Sequence, residues 1–378
     1  MKIKILTENL KVALSFLSKI VKKNPNFPIL DNVLIDCEKN FLVLTSTDLQ
    51  LSLTWWILAK IEEKGKVLVP VDLLYNLVSL IKEEQIEIQE KNLNLIIETA
   101  NQKTRIQGQN YEDFPIIPLV KEKNENYISL QKISEAISSI ISFTSLSSAK
   151  PEISGIYINF QKEKIKLAAT DSFRLAEKTI LLSDKEYIKK EGEIILPVET
   201  GKFLLNINSI LKEEFLKIYF DSNQILFEVY NDEISHSIFH LQSRLIEGEY
   251  PKYQEIIPKK FILNIQVDKK IFTDALKTAS IFTGKGNEVK LNFLKKQKQI
   301  KISAESPEKG GNESFIPLYK IEGEEVEILF NYKFLLEGIN SIQSSEIFLG
   351  ISSKDGPALL KPIGDDSFFY ILMPIKSF

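Results

Sequence analysis

At 378 residues the chain is long enough for two or three domains, taking about 150 residues per domain, and its 44% hydrophobic and 26% charged residues suit ordinary folded cores. Lys+Arg 48 against Asp+Glu 51 leaves a formal charge of −3; this excludes a uniformly basic, histone-like chain but allows a basic face on an acidic body. One cysteine, Cys37, and two histidines, His236 and His240, exclude a disulfide framework and a multi-cysteine metal centre.

The start, Met1 to Leu17, carries two early lysines, but Thr7, Glu8, Asn9 and Lys11 interrupt its apolar run, so no secretory core forms. No apolar run approaches the roughly 18 residues that span a bilayer, and the chain reads as soluble and cytoplasmic. A first amphipathic helix is expected over Glu8–Val21, with Leu10, Ala13, Leu14, Leu17, Ile20 and Val21 on one stripe. Alternating strands follow at Val33–Ile35 and Phe41–Thr45, with Glu38-Lys39-Asn40 as a hairpin tip. Trp55 and Trp56 are adjacent and would face opposite sides of a strand, one toward the core. Val67-Leu68-Val69-Pro70 then leads into a second helix with Leu73, Leu74, Leu77, Val78 and Ile81 on its buried stripe, and strands resume at Ile86–Gln89 and Asn92–Glu98.

After the charged stretch from Lys121 to Asn126 the pattern starts again. A helix is expected over Leu130–Phe143 (Ile133, Ala136, Ile137, Ile140, Ile141), then strands at Ile156–Phe160 and Ile165–Ala169 joined by Gln161–Lys164. Ile194-Ile195-Leu196-Pro197 precedes a helix with Phe203, Leu204, Ile207 and Ile210, and strands follow at Leu216–Phe220 and Gln224–Val229. A third copy has a helix over Lys269–Phe282 (Ile271, Phe272, Ala275, Leu276, Ala279), strands at Lys290–Phe293 and Ile300–Ala304 around Lys295–Lys298, a helix after Ile328-Leu329-Phe330-Asn331 (Phe334, Leu335, Ile339, Ile342), and a last strand at Phe369–Met373. The repeat of about 120–140 residues is domain-sized, not that of a solenoid. The expected fold is α+β: three similar domains, 1–122, 123–259 and 260–378, each with two helices against antiparallel sheets.

Enzyme signatures are missing. There is no Gly-x-x-x-x-Gly-Lys-[Ser/Thr] loop and no Gly-x-Gly-x-x-Gly after a strand; Gly284-Lys285-Gly286 and Gly310-Gly311 read as turns. His236 and His240 fall on one face of an expected strand, but no Glu sits between them in the His-Glu-x-x-His manner and no third ligand is near in sequence. Strand histidines at the surface are the favoured reading; a hydrolase using both histidines and a carboxylate is the weak alternative. Cys37 reads as a small buried residue. Asp48, Asp171 and Asp365-Asp366 read as turn residues.

The most informative stretch is Leu167-Ala-Ala-Thr-Asp-Ser-Phe-Arg-Leu-Ala176, a strand–turn–strand corner, with a related Leu44-Thr-Ser-Thr-Asp-Leu-Gln-Leu51 earlier. The first resembles the Ala-Thr-Asp-Gly-His-Arg-Leu-Ala turn of the bacterial DNA polymerase III β subunit family, the sliding clamps. Four further stretches agree in the same order: Pro25-Asn-Phe-Pro-Ile-Leu-Asp-Asn32, Asp113-Phe-Pro115, Arg244-Leu-Ile-Glu-Gly-Glu-Tyr-Pro-Lys-Tyr253 and Met373-Pro374-Ile375. The resemblance spans essentially the whole chain.

It implies a non-catalytic processivity factor without cofactor or metal. Two chains would join head to tail into a ring of six clamp-fold domains, helices lining a hole that duplex DNA threads without base readout. The lysines implied to face DNA are Lys11, Lys19, Lys22, Lys23, Lys82, Lys132, Lys150, Lys202, Lys212, Lys277, Lys285 and Lys333, with Asn24 where the family often has Arg. Asp72 and Glu199 stand where basic residues are common. Thr104, Arg105 and Ile106 would form the dimer's strand edge, and Ile281 with Phe282 the facing helix end. A pocket for short peptides of the polymerase III α subunit, the clamp loader and other partners is implied at Ile153, Thr170, Ser172, Phe173, Arg174, Leu175, Pro251, Ile256, Pro357, Ile371, Met373, Pro374 and Ile375. The pocket departs from the family at Ser172-Phe173 (usually Gly-His), at Glu255 (commonly basic) and at the Ser377-Phe378 end. The alternative within the same fold is an interaction protein that no longer encircles DNA.

Overall fold

The computed structural model describes residues 1–118, 120–121, 124–147, 149–211, 214–231 and 233–376. Lys212, Ser377 and Phe378, singled out above, lie outside the described residues, as do Glu122 and Lys123 of the expected linker. Among the described residues the first third of the chain forms β1 (Lys2–Leu6), α1 (Thr7–Ile20), β2 (Asn32–Glu38), β3 (Phe41–Thr47), β4 (Leu51–Leu58), β5 (Lys60–Glu63), β6 (Gly65–Pro70), α2 (Val71–Leu80), β7 (Gln85–Lys91), β8 (Asn94–Glu98) and β9 (Lys103–Gln107). The middle third forms β10 (Asn126–Ser129), α3 (Leu130–Ile140), β11 (Gly155–Gln161), β12 (Lys164–Thr170), β13 (Arg174–Leu181), β14 (Tyr187–Ile188), β15 (Gly192–Pro197), α4 (Val198–Asn208), β16 (Phe215–Phe220), β17 (Gln224–Asn231) and β18 (His236–Arg244). The last third forms β19 (Leu263–Asp268), α5 (Lys269–Ile281), β20 (Glu288–Leu294), β21 (Gln299–Ser306), β22 (Gly310–Pro317), β23 (Lys320–Gly323), β24 (Glu327–Asn331), α6 (Tyr332–Ser341), β25 (Glu346–Ile351), β26 (Ala358–Pro362) and β27 (Phe368–Leu372).

The chain folds as two compact units, one of residues 1–131, 184–190 and 206–245, the other of residues 132–183, 191–205 and 246–378. The first unit holds a sheet ordered β5-β1-β7-β8-β9 and another ordered β14-β10-β16-β17-β18-β4-β3-β2-β6. The second holds a sheet ordered β15-β11-β12-β13-β27-β26-β25-β19-β23 and another ordered β22-β21-β20-β24. Every pairing of these strands is antiparallel, and side chains alternate between a buried and a wetter face (β16 and β19 are clean examples).

Helix stripes follow the 3.6-residue period. Leu10, Ala13, Leu14, Leu17 and Ile20 of α1 are buried, as are Ile133, Ala136, Ile137 and Ile140 of α3 and Phe272, Ala275, Leu276 and Ala279 of α5. Each large side chain buried this way contributes about 1.5–3 kcal/mol. Asp268 caps α5 by accepting from Ile271 N at 2.8 Å, and Asn331 caps α6 by accepting from Lys333 N at 3.0 Å.

Five expectations need correction. Leu73 of α2 is 53% exposed, Ile210 and Ile271 are also exposed, and the α3 pattern changes to a 3-10 turn at Ile141–Phe143. Apolar period alone places a residue on a flank of the stripe without saying what covers that flank. Asn92 and Leu93 are the β7–β8 hairpin turn, at φ 50° and 63°, and β8 starts only at Asn94. Trp55 and Trp56 do face opposite ways: Trp55 is buried and stacks on Phe16 of α1 at 5.4 Å, while Trp56 meets His240 edge-on at 4.6 Å. Cys37 is buried, and burial pushes its thiol up to about 12. Among the described residues no helix is long and apolar enough to cross a membrane.

Candidate functional site

The turn between β12 and β13 is built by its own side chains. Thr170 Oγ1 accepts from Ser172 N at 3.2 Å and donates to Arg174 O at 2.7 Å. Asp171 Oδ1 accepts from Phe173 N (3.0 Å) and Arg174 N (3.1 Å). The chain turns through Ser172 at φ 78°, a left-handed conformation that glycine adopts without strain. Thr47, Asp48 and Leu49 (φ 71°) repeat the device between β3 and β4.

Arg174 ties this turn to α6. Its Nε donates to Asp171 Oδ2 at 3.0 Å, its Nη1 pairs with Glu337, and its guanidinium lies over the rings of Phe334 (4.4 Å) and Phe143 (5.2 Å). Burial alone would favour the neutral guanidine, but Glu337 and Asp171 outweigh it and hold Arg174 more firmly charged than usual. α6 approaches closely here: a Cβ on Gly338 would stand 2.3 Å from the Tyr370 ring.

The thirteen expected pocket residues all lie in the second unit. Ile153, Leu175 and Ile371 enter one buried cluster with Tyr157, Ala168, Ile195, Tyr250, Tyr253 and Leu359. Thr170 is also buried; Pro357, Pro374 and Ile375 are half-buried. Phe173 (63% exposed), Ile256 (51%) and Met373 (37%) offer apolar surface to solvent, with Pro251 exposed beside Tyr253's turn. Met373 N donates to Phe173 O at 3.0 Å and Ile375 N to Leu329 O at 2.8 Å, which ties the C-terminal stretch to the β12–β13 turn and to β24. The set is therefore a buried aliphatic floor under an exposed apolar rim.

Sequence reasoning missed the aromatic part of this floor. Tyr157 stacks on Tyr250 at 4.9 Å and meets Tyr253 edge-on at 5.8 Å, and the Tyr253 hydroxyl donates to Glu177 Oε2 at 2.5 Å. Burial pushes the phenols of Tyr250 and Tyr253 up. The signal lay in the Arg244–Tyr253 stretch, which contains both.

The expected DNA-facing residues are dispersed over helix surfaces and loops. Lys19, Lys22, Lys23, Lys82, Lys150, Lys202, Lys277, Lys285 and Lys333 are exposed; Lys11, Asn24 and Lys132 are half-buried. Several have local partners: Lys22 pairs with Asp48 at 3.3 Å, Lys202 with Glu199 at 3.0 Å, and Lys19 lies over Phe16 at 5.4 Å. Asp72 and Glu199 are exposed at the starts of α2 and α4.

The sheet edges are unequal. At the β18–β4 seam five strands meet four, and at the β13–β27 seam four meet five. The remaining sheets have five strands ending in β9 and four ending in β22, and among the described residues neither of these two edges pairs with a further strand. On β9, Lys103 pairs with Glu98; on β22, Glu313 pairs with Lys301 at 2.6 Å. Thr104 and Arg105 belong to that free edge, Ile106 is buried beneath it, and Ile281 at the end of α5 is 63% exposed.

His236 and His240 share one face with Trp56, as their spacing implied. His240 Nε2 stands 3.2 Å from Ser237 Oγ and 3.6 Å from Glu228 Oε1. The Ser237 hydroxyl donates to Glu228 at 2.5 Å, so its proton is committed to the carboxylate and not offered to the imidazole. Burial would raise Glu228, but the hydrogen bonds from His240 and Ser237 hold it below its ordinary value. Among the described residues no group of three or more His, Cys, Asp or Glu is placed to hold a metal ion.

Comparison with known proteins gives these features a common origin. Residues 1–118 match the model of the DNA polymerase III beta subunit N-terminal domain, 127–252 that of its central domain and 254–376 that of its C-terminal domain. The beta sliding clamp of Synechococcus elongatus is 26% identical over 384 residues, covering 100% of this chain and 99% of that protein. The Staphylococcus aureus beta sliding clamp is 25% identical over 371 residues, 95% of each. The crystal structure of the Bacillus subtilis DNA polymerase sliding clamp superposes with a TM-score of 0.91 at 24% identity, and that of the Thermotoga maritima DNA polymerase III beta subunit with 0.89 at 22%, each covering 100% of both chains. A Pseudomonas aeruginosa sliding clamp solved bound to griselimycin superposes with a TM-score of 0.91 at 20% identity, again over 100% of both chains. With consecutive family models laid along nearly its whole length and no segment out of order, the chain belongs to the DNA polymerase III β subunit family.

Proposed function

We propose that this chain is a non-catalytic DNA sliding clamp of the cytoplasm, closing as a head-to-tail homodimer around duplex DNA and tethering the replicative polymerase. The observation that carries the reading is the match between β9, ending a sheet of five strands, and β22, ending one of four, in a chain whose two internal seams each join five to four. An open edge invites another strand, and a heterologous contact that closes on itself leaves neither of these two open.

The internal seams supply a register for the join. Leu241 and Tyr370 hold on their hairpins the place of Thr104, and Leu53 and Ala176 that of Asn312. Because Leu241 faces Leu53 and Tyr370 faces Ala176, Thr104 would face Asn312 of the second copy, Arg105 Gly311 and Lys103 Glu313. Phe143 packs on Tyr370 at 4.9 Å beside Phe334 and Gly338. Phe282 holds Phe143's place after its helix, and Leu73 and Leu77 hold those of Phe334 and Gly338. The exposure of Leu73 and Ile281 then belongs to an interface.

The lysines Lys11, Lys19, Lys22, Lys23, Lys82, Lys150, Lys202, Lys277 and Lys285, with Asn24, would meet phosphates without reading bases. Residues 1–122, 123–259 and 260–378 would be the clamp domains. The floor of Ile153, Leu175 and Ile371 under Phe173, Ile256 and Met373 would take apolar side chains of peptides from the polymerase III α subunit, the clamp loader and other clients. The exposed Asp72 and Glu199 favour a second reading, a clamp-fold interaction protein that does not encircle DNA. The test is topological: protein loaded on nicked circular DNA by a cognate loader should be retained, then lost on linearisation. Retention that ignores free ends, or failure to load, sinks the first reading and leaves the second.

A further inference from the structure

The two internal seams are covered unequally on the face opposite the helices. Over the β11–β13 strands the chain lays Tyr250-Pro251, and two residues later Tyr253 turns in, only 3% exposed, with its hydroxyl on Glu177. The first unit has the same device: Phe114-Pro115 follows a similar approach, and Phe114 is buried as Tyr250 is. Its residue at Tyr253's place is Ile117, which is too short to repeat the plug. A cavity of about 570 Å³ remains, lined among others by Leu34, Thr45, Thr54, Trp56, Phe114 and His240. By strand register Leu34 stands for Tyr157, Thr45 for Ala168 and Thr54 for Glu177. Ile116 beside it is 95% exposed.

We infer that this groove is a docking site for one aromatic side chain, tyrosine or phenylalanine, of a partner polypeptide. The chain's own use of the equivalent place identifies the occupant, since there a phenol fills the space. Trp56 and Phe114 supply flat walls for a ring, which prefers offset or edge-on neighbours. The Thr54 hydroxyl stands where Glu177 receives the Tyr253 hydroxyl, with the Thr45 hydroxyl 3.3 Å from it at Ala168's place, so a phenol finds a polar partner and a phenyl ring is tolerated. At Glu177's place a cationic side chain finds a threonine, and the acidic residue on the lining, Glu112, is exposed to solvent. None of these residues belongs to the peptide pocket of the second unit, so this inference stands or falls apart from the reading above.

The test uses the full-length protein and p-cresol, the tyrosine side chain alone, followed by amide NMR. Saturable shifts at Thr45, Thr54 and the Trp56 indole are expected, with Trp55 on the opposite face unmoved. N-acetyl-tyrosine amide should bind at least tenfold tighter than N-acetyl-leucine amide. Ile117→Tyr, which supplies the missing plug, should weaken p-cresol at the groove tenfold or more; Thr45→Phe fills it from the floor and serves if the first variant misfolds. Absence of saturable shifts, equal affinity for the leucine amide, or undiminished binding by a folded plugged variant overturns the inference. Concentration-dependent self-association that the plugged variant abolishes overturns it as well, by making a second copy the occupant.

Discussion

The register proposed for the dimer makes a charge-swap experiment decisive. In the ring, Lys103 of one protomer would face Glu313 of the other, beside ion pairs each protomer makes itself: Glu98 with Lys103 directly opposite, and Glu313 with Lys301 on the diagonal. Both central side chains are well exposed in the single chain, 68% and 58%, so the pair itself is worth only about 0.2–1 kcal/mol. Lys103→Glu does more than delete it, because three carboxylates then stand in one cross-strand row, and like charges opposite each other destabilise by a similar amount. The net loss across the join is about 0.4–2 kcal/mol per interface and, with two interfaces in a closed ring, about 0.8–4 kcal/mol. At 1.4 kcal/mol per factor of ten, that is roughly fourfold to several-hundredfold in the dimer dissociation constant. Sedimentation equilibrium at low salt should show this weakening for Lys103→Glu and for Glu313→Lys, and recovery to within a few-fold when both changes are combined. At about 1 M salt, where the screening length falls to about 3 Å, the single variants should approach the unmodified protein. A combined variant no tighter than the singles, or singles that dimerise normally at low salt, would refute the register.

Ser172→Gly should stabilise the second unit by about 1 kcal/mol, because glycine occupies the left-handed turn without the Cβ penalty; unchanged urea unfolding would show that the turn carries no strain. Deleting residues 373–378 removes the strand-like tether of Met373 and Ile375 and the exposed Met373; the truncated protein should still dimerise yet lose calorimetric binding of a Gln-Leu-x-Leu-Phe peptide, and full-strength binding would place the peptide elsewhere. Glu125 accepts from the Tyr187 hydroxyl at 2.6 Å, with Lys189 and Tyr219 at 3.1 Å, and these hold its carboxyl below its ordinary value against the opposing effect of burial. A depressed folded-state value means its contribution is present above the unfolded-state pKa and fades as pH falls through the folded one. Glu125→Gln should therefore flatten the acid limb of a stability-versus-pH curve below about pH 4.5, and an unchanged limb would refute that role.

Much of the architecture was legible because the helices are amphipathic and the hairpin tips charged. Leu10 through Ile20 and Phe272 through Ala279 declared their buried faces by period alone. Leu73 was misplaced for the same reason that Leu74 was placed well: the stripe is wider than the part the chain itself covers. The Thr170–Arg174 turn stood out because two residue types, Thr and Asp, each satisfy backbone donors at fixed offsets. Glu177 and Tyr157 gave no comparable signal, since their partnership with Tyr253 joins strands far apart in sequence. The vacancy beneath Phe114 was equally hidden, because Ile117 is an unremarkable apolar residue until it is set against Tyr253.

The hydrogen-bonded seams also disregard the chain's own punctuation. β10, β14 and β16–β18 of the middle segment fold with the first segment, whereas β11–β13 and β15 fold with the last. Cooperativity therefore belongs to groups of strands that no single stretch of sequence encodes. Isolated from the rest, residues 1–122 would bare the backbone of β4 along Leu51, Leu53 and Trp55, which β18 now occupies, and such an edge recruits whatever strand is at hand. A proteolytic nick between the first two segments, by contrast, would leave the pieces zipped together. The segments are units of ancestry; the units of melting are the sheets that stitch them.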